Sequence, residues 1–194
     1  MNVPNKTVSK ETMQAEWLEI QAAQRDASLF RPLYNRYFEM IFRFIYRRTA
    51  KEALAADICS QVFLKAMQKL PSYQFKGVPF SAWLYRIASN EITQHFRNVQ
   101  KNRVVSIDDF SFMDILSEIE GKDSVDYRGA LIAALDQLKA SDLQLIELRF
   151  FEQRPFKEIA AILTITESNA KVKTYRILEK LKKIILTTGR PSSD

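Results

Sequence analysis

The sequence is poor in the residues on which several kinds of protein depend. It has one cysteine, Cys59, so no disulfide can form within the chain. One histidine, His95, leaves too few His and Cys ligands for zinc. Four glycines and six prolines in 194 residues are too few for the turns of an all-β protein, and that scarcity argues for helices. With so little glycine there is no phosphate-cradling loop, and one Cys and one His give no believable nucleophile–base pair. No catalytic residue, metal ion or cofactor is expected. Runs of about 18 or more apolar residues are missing, so no membrane span is expected. The first residues, Met1-Asn2-Val3-Pro4-Asn5-Lys6, lack a signal peptide's apolar segment. A cytoplasmic protein is the expectation.

What is present is ordinary in amount and uneven in placement. Hydrophobic residues are 46% and charged residues 27%, typical of a soluble globular protein, and the net charge is +6. Between Val104 and Tyr127 stand seven acids, among them Asp108, Asp109, Asp114, Glu118 and Glu120, opposed only by Lys122. The remainder holds 28 bases against 16 acids, or +12. The chain reads as two basic blocks joined by an acidic connector with a short helical piece at Phe112 to Leu116. A solvated surface loop within one domain is the alternative.

Both blocks show helical periodicity. In the first, residues 11–25 form one helix. Phe30, Leu33, Tyr34, Tyr37, Ile41, Phe44 and Ile45 mark a second, with Pro32 near its first turn. A third covers about 51–69 and stops at Leu70-Pro71. A loop with two breakers, Gly77 and Pro79, precedes a long helix from about Ser81 to Lys101. The second block opens near Tyr127, continues with a helix capped by Ser141 or Asp142, and breaks at Gln153-Arg154-Pro155. A short helix from Phe156 to Leu163, a tight turn at Thr164-Ile165, and a last helix capped by Thr166 then outline a helix-turn-helix.

Two constellations carry function. On the last helix, Glu167, Ser168, Asn169, Lys171, Lys173, Thr174 and Arg176 are the exposed candidates, with Ala170, Val172, Ile177 and Leu178 facing inward. The cations suit phosphate and guanine, and Ser168 or Asn169 suits a base edge. A plain helical hairpin with a basic face is the alternative. Upstream, Phe75, Phe80, Trp83, Tyr85 and Phe96 interleave with Lys76, Arg86, Arg97, Lys101 and Arg103. Aromatic faces beside cations suit single-stranded nucleic acid, which needs stacking and phosphate contacts. Trp83, Ile87 and Ile92 also fit a plain core. Cys59 reads as a small packed residue and His95 as part of a basic surface.

Phe80-Ser81-Ala82-Trp83-Leu84-Tyr85-Arg86-Ile87-Ala88-Ser89-Asn90, with Asp57-Ile58-Cys59-Ser60-Gln61-Val62-Phe63-Leu64-Lys65-Ala66 upstream, resembles the first conserved domain of extracytoplasmic-function RNA polymerase sigma factors. Leu135-Asp136-Gln137-Leu138, Leu148-Arg149-Phe150-Phe151 and Phe156-Lys157-Glu158-Ile159-Ala160 resemble their second domain. The resemblance spans about residues 22–186. It implies an all-α protein of two small helical domains joined by an acidic flexible linker, the second domain containing the helix-turn-helix. Its divisions are an extension at 1–21, a region 2-like domain at 22–103, the linker at 104–126, a region 4-like domain at 127–187 and a tail at 188–194.

The resemblance also implies roles. Asp57, Gln61, Phe63 and Leu64 would dock on core RNA polymerase. Phe75, Lys76, Phe80, Tyr85, Arg86, Asn90 and Arg97 would recognise and open the minus-ten element. Glu167, Ser168, Asn169, Lys171, Lys173 and Arg176 would read the minus-thirty-five element as duplex. The implied partners are the polymerase core, promoter DNA both duplex and melted, and an anti-sigma factor. Ser60-Gln61 stands where the family usually has glutamine then an acid, and Pro155 where a serine or threonine commonly starts the short helix. Thr164 stands where glycine is frequent, so a positive φ there would strain it. An ordinary helix-turn-helix regulator, or a sigma-like interaction module, remain the alternatives. The first leaves the aromatic–basic string unexplained, and the second has no need of a basic recognition helix.

Overall fold

The computed structural model describes residues 8–99, 109–120 and 128–188, and among them there is no β-strand. The helices form two compact units, one built on residues upstream of about 104 and the other mostly on those after it.

The first unit begins with α1 (Lys10–Arg25), capped by Ser9, whose Oγ accepts from the Thr12 N–H at 3.2 Å. Asp26 ends α1 and caps the 3-10 turn Ala27–Phe30 by accepting from the Ser28 N–H at 2.9 Å. Next come α2 (Arg31–Thr49), with proline in its first turn, and α3 (Glu52–Lys69). Leu70–Ser72 makes a 3-10 turn. Residues 73–79 form a loop in which Gly77 takes a φ of 68° that favours glycine, and α4 (Phe80–Val99) follows. Leu33, Ile41, Phe44 and Ile45 of α2 meet Ala55, Ile58, Val62 and Ala66 of α3 and Leu84, Ala88 and Ile92 of α4 in a closed apolar core. α1 buries Glu16, Ile20 and Ala23 and packs along the turns at 27–30 and 70–72. The expected boundary at residues 21 and 22 therefore cuts through a helix that belongs to this unit.

Cys59 lies fully buried in that core, and burial pushes its thiol up to about 12. Its thiolate is what reacts, so Ellman's reagent at about pH 8 should leave the folded protein unlabelled and label it stoichiometrically in guanidinium.

The second unit holds α5 (Asp109–Glu120), α6 (Arg128–Asp136), α7 (Ala140–Ile146), α8 (Phe156–Leu163) and α9 (Glu167–Thr188). α5 lies inside the expected linker and is longer than the helical piece expected there. Phe112, Ile115 and Ile119, spaced three and four apart, are buried, and the helix packs on α9. The flanking stretches 104–108 and 121–126 lie outside the described residues, as do 1–7, Lys101, Arg103 and the tail from 189. α7 starts one residue before Ser141 with no side-chain cap; Asp142 sits in its first turn, where a carboxylate favours the helix dipole. α7 runs on into a π turn, Glu147–Phe151, and Gln153, at φ 53°, ends it. A buried ion pair, Arg154 to Glu158 at 3.6 Å, bridges this break to α8; burial raises the Glu158 carboxyl against the opposing pull of Arg154.

Candidate nucleic-acid and docking surfaces

The helix-turn-helix forms as its residues require. Thr166 Oγ1 accepts from the Asn169 N–H at 3.2 Å, capping α9. α8 ends with the Ile165 N–H bonded to the Ala160 carbonyl at 3.0 Å, while Thr164 adopts φ 58°. That is a Schellman ending, in which glycine is usual, and a β-branched residue is strained there. Thr164→Gly should therefore stabilise the helix-turn-helix by about 1 kcal/mol, raising its Tm by roughly 4 °C or more in a calorimetric scan.

α9 turns Ala170, Thr174, Ile177, Leu178, Leu181 and Ile185 inward. Thr174, expected on the outer face, is buried and donates its hydroxyl to the Ala170 carbonyl at 2.9 Å. Val172, expected inward, is exposed, and so is Tyr175 at 58%. Both belong to the outer face with Glu167, Ser168, Asn169, Lys171, Lys173 and Arg176, all of which the structure leaves exposed. Tyr175 was legible from its spacing of four from Lys171 on that face. Lys171 pairs with Glu167 at 3.1 Å and lies 5.9 Å from the centre of the Phe156 ring, whose face also carries the Arg149 guanidinium at 4.7 Å.

In the first unit, α4 separates two groups that the sequence had interleaved. Arg86, Asn90, Thr93 and Arg97 recur at steps of four, three and four and are all exposed, a polar stripe with two cations. Thr93 had not been expected there, although the spacing alone includes it. Trp83, half-buried, continues the stripe toward the loop, where Phe75 and Lys76 are exposed. Two expected minus-ten contacts are corrected. Phe80 is 1% exposed and Tyr85 0%. Phe80 sits among Tyr37, Tyr73 and Trp83, and Tyr85 meets the Phe44 ring edge-on at 5.0 Å. They occupy the apolar face of α4, so neither ring stands on the exposed stripe with Arg86 and Asn90.

On α3, Asp57, Gln61 and Leu64 are exposed at steps of four and three, Leu64 at 56%. Phe63 is corrected: at 3% exposure it packs edge-on to Tyr34 at 4.8 Å and beside Phe38 at 6.1 Å. The adjacent apolar surface lies on α2 instead. Tyr34, Phe38, Phe42 and Tyr46, four residues apart, form a ladder of rings with centroids 5.3, 5.9 and 6.1 Å apart, and Tyr34 and Tyr46 are exposed. The apolar stripe expected from the sequence includes Tyr34 of this row but not Phe38, Phe42 or Tyr46. Among the described residues, no helix is long and apolar enough to cross a membrane and no group of three His, Cys, Asp or Glu side chains is placed to hold a metal.

These surfaces fall within two stretches that match known families: residues 33–102 match Sigma-70 region 2, and residues 128–181 match Sigma-70, region 4. The ECF RNA polymerase sigma factor BldN of Streptomyces coelicolor is 29% identical over 182 residues, covering 88% of this chain and 64% of that protein's length. The ECF RNA polymerase sigma factor SigL of Mycobacterium tuberculosis is 26% identical over 168 residues, covering 87% of this chain and 95% of SigL. In fold, the chain is similar to the sigma factor RpoE of Bartonella quintana, solved in complex with the anti-sigma factor NepR, with a TM-score of 0.55, 22% identity, and coverage of 83% of this chain and 98% of that one. With both sigma regions matched in order, and relatives of this kind along most of its length, the chain belongs to the extracytoplasmic-function sigma factors.

Proposed function

We propose that this protein is a dissociable sigma subunit that binds bacterial core RNA polymerase and directs transcription initiation. The observation that carries the reading is the pairing of two different DNA-suited surfaces on two units. One is the basic polar stripe of α4 beside the exposed loop at 74–76, suited to a strand being opened. The other is the helix-turn-helix face of α9, suited to duplex.

The work divides accordingly. Asp57, Gln61 and Leu64 of α3, with the α2 ring ladder, supply the core-docking face. The loop at 73–79 and Trp83, Arg86, Asn90 and Arg97 hold the upstream minus-ten strand. Extruding a base there costs a few kcal/mol, offset by stacking and by contacts to the base and backbone. α9 reads the minus-thirty-five element. The protein carries out no catalytic step of its own; the polymerase supplies the chemistry. The family setting supports a cytoplasmic location and control by an anti-sigma factor that covers these surfaces.

Each unit alone offers few contacts, so affinity for DNA should be weak in the free protein and rise when polymerase holds both units at high local concentration. The test is co-elution with core RNA polymerase on size exclusion, followed by duplex binding with and without core. Stable co-elution and core-dependent binding support the reading; duplex binding without any core association would instead support an ordinary regulator. Within the holoenzyme, Lys171→Ala, Lys173→Ala or Arg176→Ala should weaken promoter binding. Removing one phosphate-binding cation should make the salt slope shallower by about 1. Unchanged affinity and slope in all three variants would remove α9 from the interface.

A further inference from the structure

The loop at 73–79 is held by a helix that precedes the region 2 match at 33–102. At the loop's start, the Gln24 side-chain amide donates to two backbone carbonyls, Leu70 at 2.9 Å and Tyr73 at 2.8 Å. In the middle, the Trp17 ring lies 6.0 Å from Tyr73 and stacks on Phe75, also at 6.0 Å with 27° between the planes. At its end, Glu16 Oε2 accepts from the Phe80 N–H at 3.4 Å, at the N-terminus of α4. Glu16 is itself fixed by the Tyr37 hydroxyl and by Arg36 at 3.2 Å. So α1 touches the loop at both ends and at its exposed aromatic ring.

We propose that α1 is a positioning element for minus-ten recognition, in which Trp17 and Gln24 set the shape of the loop that meets the opened strand. The inference rests on the function proposed above. The physical case is that Gln74, Phe75 and Lys76 are exposed and the chain turns at Gly77, with φ 68°, so the loop's exposed tip takes its fixed points from α1. The stack on Trp17 and the two Gln24 bonds supply what the loop lacks. Trp17 and Gln24 need not touch DNA; they restrict where Phe75 and Lys76 stand when DNA arrives.

The experiment uses the full chain assembled with core polymerase and linear templates randomised across the minus-ten and minus-thirty-five regions, with base preference read from the transcripts. Trp17→Ala and Gln24→Ala should each lower discrimination at minus-ten positions by about tenfold, the worth of one mismatched position. Discrimination at minus-thirty-five and affinity for core should stay at wild-type level, and Trp17→Phe, which keeps a stacking ring, should restore most of the preference. Should Trp17→Ala fail to fold by circular dichroism, Gln24→Ala carries the test, since it removes two hydrogen bonds and little apolar area. Unchanged minus-ten preference in folded Gln24→Ala and Trp17→Ala, alongside a loss in Lys76→Ala or Arg86→Ala, overturns the positioning role of α1 and leaves the function standing. A parallel fall in core affinity and both preferences shows a merely structural role and also overturns it. If Lys76→Ala and Arg86→Ala leave minus-ten preference intact, the function proposed for the loop and α4 fails, and the positioning role of α1 with it.

Discussion

Phe63→Ala and Tyr85→Ala should each destabilise the first unit by about 3–5 kcal/mol, a large part of a small domain's stability. Both rings are enclosed, Phe63 between α3 and α2 and Tyr85 against Phe44, so truncation leaves a cavity that neighbouring helices fill only in part. Thermal melting should show the loss directly, and core binding should fall because the unit no longer holds its shape. Leu64→Ala makes the contrast. Its side chain is mostly exposed, so its melting should stay within about 0.5 kcal/mol of wild type. Its affinity for core polymerase should nevertheless drop, by about tenfold if Leu64 is an anchor of the docking face. A stable, well-folded Phe63→Ala with selective loss of core binding would contradict the placement of that ring.

The second large effect is expected from the α4 stripe. Replacing Arg86 and Asn90 together by alanine removes one cation and one two-way hydrogen-bonding group from an exposed face with little core burial. Folding should be nearly unaffected. Open-complex formation on a duplex promoter should fall by roughly 30- to 100-fold, equivalent to about 2–3 kcal/mol, the order of the cost of extruding a stacked base. A template already unpaired across the minus-ten region should recover much of that loss, because the strand no longer has to be opened. Permanganate footprinting of unpaired thymines measures it on both templates. Equal defects on both would place Arg86 and Asn90 in a step other than opening.

The local pattern was sufficient where structure is local. The Thr166 cap, the stop at Leu70-Pro71, the break before α8 and the strained turn at Thr164 all depend on residues within a few positions of one another, and each is found where the sequence placed it. Side-chain direction on α4 was harder. An interleaved run of aromatics and cations satisfies a DNA-facing stripe and a core stripe equally until the register is counted, and counting assigns Phe80 and Tyr85 to the core and Thr93 to the surface. The role of α1 was not legible at all. It buries only three residues, and its decisive bonds, from Gln24 and Glu16, span 46 to 64 positions of sequence. No local periodicity reports contacts of that range. α5 was half legible: its acidity marked it as a connector, while its apolar spacing of three and four was too short a run to outweigh the charge.

The most direct test of the whole account is run-off transcription by core RNA polymerase with and without this protein, on a pool of fragments from the genome that encodes it. The account predicts new, discrete start sites that appear only with the protein present, each preceded by one shared sequence near minus-ten and another near minus-thirty-five. Core polymerase that binds the protein yet gains no specific start site would contradict it.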